Sequence, residues 1–398
     1  MIKASGSRLR WIVPRSLIFV TVFVDMLGYG IVIPLLPIYV ERQAGGGTLV
    51  GLLGSLYALA QSIGGPILSG MSDRYGRRPV LLGCLLGTSL AYVLLGLADT
   101  LWLVAAAILL DGITGGNIST AQAYIADSTA PEDRASGFAI TGAAFGLGMM
   151  AGPAIGGVLS QHDLSTPAFV AAAIAAANML VGWLALPESL APEHRSRQRL
   201  AALNPIGQLV AALRPVGLRG LLLTLLLLNL AFSGLQSNFP IFSRARFGWD
   251  VADNAFFYAF VGTCAVVTQA LLLGWLRPRV GERRLALGGL ALMAANLGLM
   301  AMAWRSWMLF PIVALLALGS NLSIPCLTSL ISARVEPGGQ GRLMGSLQIV
   351  INVALIGGPL IAGLAFDHVG AAAPYAFGGL IALGALAIGV RATSAGTE

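Results

Sequence analysis

Charge is what this 398-residue sequence has least of: 10% of its residues are Asp, Glu, Lys or Arg, against roughly 25% in an ordinary soluble domain. With 57% hydrophobic residues, that scarcity excludes a water-soluble globular enzyme. The three cysteines, Cys84, Cys264 and Cys326, lie in apolar stretches without C-x-x-C spacing, so neither a disulfide framework nor a zinc site is indicated. The three histidines, His162, His194 and His368, fall in predicted loops or at a helix end. No G-x-x-x-x-G-K-[ST] phosphate loop accompanies them, so neither catalysis nor ATP-driven work finds its residues. The 51 glycines have no three-residue period and sit among Leu, Ala and Val, which excludes collagen and disorder. What remains is an all-α polytopic membrane protein.

Apolar runs of about 20 residues, enough for a hydrocarbon core of about 30 Å, recur along the whole chain. They predict twelve transmembrane helices at about 16–40, 49–71, 80–98, 102–125, 136–158, 167–187, 219–243, 254–276, 285–304, 306–331, 343–366 and 372–390. The first is too long for a signal-peptide core and lacks a cleavage site, so it is expected to be retained. Twelve spans place 20 basic residues on the side of the termini and four (Arg42, Arg244, Arg246, Arg305) on the other. The positive-inside rule then puts both termini in the cytoplasm of a multi-pass protein of the cell (inner) membrane. The net charge of +7 is thereby read as loop arginine facing a lipid bilayer, with no nucleic-acid partner.

The polar stretch 188–218 divides the chain into an N-terminal six-helix bundle (1–187), a cytoplasmic central loop and a C-terminal six-helix bundle (219–398). The halves are pseudo-symmetric. AGPAIGGVL at 151–159 matches GGPLIAGLA at 357–365, and Gly76-Arg77-Arg78 has a counterpart around Gly281-Glu282-Arg283-Arg284. A repeat of half the chain is what transporters with a midplane site between two bundles show.

Only two of the 17 acidic residues, Asp25 and Asp111, fall deep within predicted spans. Each lies about ten residues from a helix end, hence about 15 Å deep at about 1.5 Å per residue. A carboxyl there faces a cavity or the bundle interior, and proton relays are built from such groups. Proton coupling is therefore expected at Asp25 and Asp111, with a packing carboxyl as the alternative. Polar side chains line up at helical spacing: Gln122 lies eleven residues from Asp111, Tyr57 and Gln61 form an i, i+4 pair, as do Gln348 and Asn352, and Asn229, Ser233 and Gln236 make a stripe beside Phe232. These residues, with Tyr29, are candidate substrate-cavity positions; interhelical hydrogen bonding is the competing role. With no cation deep within the spans, a neutral, zwitterionic or cationic amphipathic substrate is favoured.

In helix 5, Gly148, Gly152 and Gly156 recur four apart around Pro153, a pattern for close, kinked helix contact. The turn SDRYGRRP places Asp73, Arg74, Arg77 and Arg78 between helices 2 and 3, suited to a charge clamp with Asp127 at the end of helix 4.

Together these motifs resemble the major facilitator superfamily, and within it the twelve-helix drug/proton antiporters close to the tetracycline efflux proteins. DMLGYGIVIPLLP from Asp25 to Pro37 matches their first-helix pattern, MSDRYGRRPVLL their helix 2–3 signature with Ser69 for its leading Gly, Gly142–Gly157 the antiporter Gly-Pro motif, and LPESL (186–190) the end of helix 6. The resemblance spans about residues 16–390. It implies that Asp25 is a proton or substrate site and that Asp73, Arg74, Arg77, Arg78 and Asp127 form a conformational latch. Ile108 stands where proton-coupled relatives carry Arg, and Ala91, Ala265 and Leu292 replace acidic or His positions of tetracycline exporters. The proton route would then rest on Asp25 and Asp111, with a substrate other than tetracycline.

The expected function is export of a small amphipathic, multidrug-type compound by proton antiport and alternating access, in a monomer driven by the proton gradient without a cofactor or metal. The alternatives are an uncoupled facilitator or lipid-like substrate flippase, and a non-transporting receptor with the same fold.

Overall fold

A computed structural model describes residues 19–32, 35–43, 45–115, 117–128, 134–160, 163–195, 216–335 and 340–394. Among them there is no strand, and nine helices are long and apolar enough to cross a membrane, joined by three shorter apolar ones. These correspond one for one to the twelve predicted spans. They are α1 (Phe19–Arg42), α2 (Gly47–Tyr75), α3 (Arg77–Gly96), α4 (Leu101–Thr114, then Asn117–Ser128), α5 (Arg134–Leu159) and α6 (Ser165–Ala185). The second half supplies α7 (Val216–Phe247), α8 (Val251–Val267, Thr268–Leu272 and Leu273–Val280), α9 (Glu282–Met302), α10 (Leu309–Ser332), α11 (Gln340–His368) and α12 (Ala373–Ser394).

The local causes are those of helices in an apolar medium. Backbone groups must be satisfied within the helix, so interior prolines such as Pro66, Pro153, Pro240, Pro325 and Pro359 are carried without ending their helices. A capping box between Asp250 and Asp253 starts α8, and a single π turn at Thr268–Leu272 interrupts it.

Contacts divide the chain into two compact units. One joins Met1–Tyr39 to Leu59–Leu203; the other joins Val40–Ala58 to Asn204–Glu398. Residues 40–58 thus group with the second half of the chain.

In the first unit α3 is central, packing on α4 and α6. Ser89 Oγ donates to the Ala172 carbonyl at 2.9 Å, and Asn178 Nδ2 of α6 donates to the Thr21 carbonyl of α1 at 3.0 Å. The second unit is built on α7 against α11 and α12, and α9 against α10 and α12. Its core is apolar, with Leu225, Leu228, Phe242, Leu290, Met293, Leu297 and Tyr375 fully buried.

In the same unit the start of α2 lies on the end of α11. Asp367 accepts hydrogen bonds from the backbone N–H of Gly47 (2.8 Å) and Thr48 (2.7 Å), and Ser55 Oγ donates to the Ile356 carbonyl at 2.6 Å. A side chain at Gly51 would run into the Pro359 carbonyl, and one at Gly363 into the Gly47 carbonyl, so this approach requires glycine.

Candidate functional site

The two membrane carboxylates are buried and lie in the first unit, Asp25 at 7% exposure on α1 and Asp111 at 9% on α4. They lie within electrostatic reach of each other, with Tyr29 facing Asp111 and Cys84 facing Asp25. Thr88 of α3 hydrogen-bonds the Asp111 carboxylate, and its hydroxyl meets that of Thr114 at 3.2 Å. Tyr92 closes the cluster, its ring 2.9 Å from where a Cβ on Gly28 would stand. Cys84, Thr88 and Tyr92 follow one another at i, i+4 along α3. That i, i+4 line in α3 is the sequence signal for a third helix at this cluster. The result is a buried cluster of hydroxyls and two carboxyls drawn from three helices.

The other predicted cavity positions are dispersed. Gln61 donates to the Gly115 carbonyl at 3.3 Å in the first unit, and Gln122 is exposed. Tyr57 is half-buried in the segment that belongs to the second unit. There Asn229 donates to the Leu225 carbonyl of its own helix at 2.8 Å. Phe232 and Gln236 are half-buried, and the Gln236 carbonyl accepts from the Tyr258 hydroxyl at 3.2 Å. Gln348 donates to Asn352 at 2.9 Å, so that helical pair is formed as spaced. Ser233 corrects the cavity assignment. It is 4% exposed, and its hydroxyl donates to the Ala354 carbonyl of α11 at 3.0 Å, so it joins helices rather than lining free space.

The helix 5 glycines face α1 inside the first unit. A Cβ on Gly152 would lie 2.7 Å from both the Gly30 Cα and the Leu27 carbonyl oxygen, one on Gly148 2.8 Å from the Phe23 carbonyl oxygen, and one on Gly156 2.7 Å from that of Ile31. A Cβ on Gly30 would in turn lie 3.1 Å from Pro153 Cδ. Glycine at these positions lets the backbones of α1 and α5 approach closely.

In the α2–α3 turn a single arginine makes the clamp. Arg77 Nε donates to Asp127 Oδ2 at 2.9 Å, while its Nη1 donates to Asp73 and, at 2.8 Å, to Ser72 Oγ. The Arg77 side chain is 9% exposed, so its charge is neutralised where water is scarce. Arg74 instead stands over the ring of Tyr75. Arg78 turns to α6, donating to the Trp183 carbonyl at 2.5 Å. The sequence missed two participants, Ser72 and Glu188; the latter accepts from the backbone N–H of Arg77 at 2.9 Å.

Among the described residues no group of three or more His, Cys, Asp or Glu side chains is placed to hold a metal. The chain matches the sequence profile of the Major Facilitator Superfamily over residues 18–304 and 265–395. It is 36% identical over 344 residues to the class C tetracycline resistance protein of Escherichia coli, covering 86% of each chain. It is 28% identical over 350 residues to multidrug resistance protein 2 of Bacillus subtilis, covering 87% of each. Among solved structures it resembles the human organic anion transporter MFSD10 (TETRAN), with a TM-score of 0.73 and 25% identity over 95% of this chain and 99% of that one. The chain belongs to the Major Facilitator Superfamily and is a multi-pass membrane transporter, not an enzyme.

Proposed function

We propose that this transporter exports a small amphipathic compound in exchange for protons, by alternating access and without a cofactor. The observation that carries the reading is the buried pair Asp25 and Asp111, set among Tyr29, Thr88 and Thr114. Two carboxyls within mutual reach in a low-dielectric environment repel when both are ionised, so a proton and a bound cation would compete for the same charge. The likeness to tetracycline and multidrug resistance proteins supports export of a drug-like molecule. The replacements at Ala91, Ala265 and Leu292 point away from tetracycline itself.

In this reading both termini are cytoplasmic, as the sorting of 20 basic residues against four requires, and the protein acts as a monomer in the cell (inner) membrane. The test is efflux of a lipophilic cation such as ethidium, beside tetracycline, from proteoliposomes with an imposed pH gradient. Flux should follow the gradient and lose that dependence in Asp25→Asn plus Asp111→Asn; flux indifferent to the gradient overturns the coupling. One observation favours a second reading, an uncoupled facilitator or flippase: Ile108 occupies the helix 4 position where proton-coupled relatives carry Arg. Substrate-induced proton release from the detergent-solubilised protein separates the two, since only an antiporter releases protons.

A further inference from the structure

Helix α3 begins without a cap of its own. Gly76 at its N-cap has φ +110° and no side chain with which to receive the first-turn N–H groups. Those groups are met from the segment that follows α6, about 110 residues away. Glu188 Oε1 accepts from the N–H of Arg77 at 2.9 Å, and Oε2 from that of Arg78 at 3.3 Å. The same Oε1 also takes the N–H of Ser189 (3.0 Å) and Leu190 (3.1 Å), which fixes the carboxylate in place. A Cβ at Gly76 would collide with the Glu188 carboxylate, so the glycine admits the cap as well as the backbone turn. Two further bonds tie this corner together: Arg78 to the Trp183 carbonyl, and the Tyr124 hydroxyl to the Pro187 carbonyl at 2.8 Å.

The second half places a carboxylate at the equivalent helix start by another route. Gly281, with φ +85° and again no side-chain cap, precedes α9, and there the acid is Glu282 in the first turn itself, accepting from Ser329 Oγ at 2.9 Å and paired with Arg277. An anion at this position offsets the partial positive charge of a helix N-terminus.

We propose that Glu188 is the positioning residue of the Arg77 clamp, holding the first turn of α3 so that the Arg77 guanidinium stays between Asp73 and Asp127. Arg77 is the first residue of α3, so its side-chain direction is set by the turn that Glu188 caps. Fraying of that turn withdraws the guanidinium from both acids. In its effect on transport the inference rests on the antiport reading above: the clamp favours one conformation, so losing Glu188 changes turnover and leaves substrate affinity alone.

The test needs no substrate. Ser72 is fully buried beneath Arg77, whereas Cys84 is buried 12 residues further on, within the membrane span. Maleimide labelling of a Ser72→Cys reporter, resolved by mass from labelling of native Cys84, reads clamp opening, and Cys84 reports an intact fold. Adding Glu188→Ala should raise labelling at position 72 by about five-fold, the effect of one lost cap, with Cys84 still protected. It should add nothing in an Arg77→Ala background, because both act through the same guanidinium. If Glu188→Ala exposes Cys84, Glu188→Gln, which keeps the volume and one acceptor oxygen, is read instead and should show a smaller rise. In a transport assay the Glu188 variant should lower Vmax with KM unchanged. Unchanged labelling at position 72, or an effect that adds to that of Arg77→Ala, overturns the proposal. A wild type that labels as expected yet moves no probe would instead count against the export reading.

Discussion

Arg77 Nε donates to Asp127 Oδ2 at 2.9 Å across fifty residues of sequence, while the same guanidinium reaches Asp73 four residues before it. One planar group thus serves two helices and three acceptors, a geometry that lysine, a point charge on a flexible stem, does not reproduce. Arg77→Lys is expected to slow efflux about tenfold, in line with roughly 1.5–3 kcal/mol for a charge-assisted hydrogen bond. Initial rates in proteoliposomes check this; a wild-type rate would remove Arg77 from the conformational cycle.

Asp25 and Asp111 lie within electrostatic reach of each other, so neutralising them should not be additive. Asp25→Asn and Asp111→Asn measured singly and together are expected to show a coupling of about 0.5–3 kcal/mol in gradient-driven flux, as for groups in contact. Strict additivity would mean that the two carboxyls act independently.

Two glycines in membrane helices should respond oppositely to alanine. At Gly152 a Cβ would press on the backbone of α1, 2.7 Å from Gly30 Cα, whereas at Gly83 nothing lies within 4 Å. Gly152→Ala is expected to cost about 1–3 kcal/mol through overpacking, and Gly83→Ala to gain about 0.4–1 kcal/mol from a less flexible unfolded chain. Thermal unfolding of the purified variants decides, and equal midpoints would refute the α1–α5 contact.

Asp367 closes the start of α2, accepting from two backbone N–H groups that have no partner earlier in the helix. Asp367→Ala should destabilise the protein by about 1 kcal/mol and speed amide exchange at Gly47 and Thr48. Protection of those amides in the variant would show that something else caps the helix.

The Tyr375 hydroxyl is buried and has no hydrogen-bond partner among the described residues. Its ring packs against Phe242 with centroids 4.4 Å apart, so the stabilising contact is aromatic rather than polar. Tyr375→Phe is expected to be neutral or to raise the unfolding midpoint, gaining up to about 1 kcal/mol. A clear loss of stability would reveal a partner for the hydroxyl.

The sequence alone determined the twelve spans, because membrane insertion depends on the summed hydropathy of about 20 consecutive residues, a strictly local quantity. It also determined which ionisable groups could matter. Asp25 and Asp111 stand out by depth, and Asp73 and Arg77 by their place in the short charged turn between helices 2 and 3. Only the tertiary structure decided what those groups meet. Thr88 joins Asp111, Ser233 turns to α11, Glu188 caps a helix that lacks a capping residue, and residues 40–58 pack with the second half of the chain. Each is a contact between surfaces from 23 to about 320 residues apart. Its existence depends on how whole helices pack, through glycine approaches such as Gly51 on Pro359 and Gly152 on Gly30, and no local run of sequence encodes that packing.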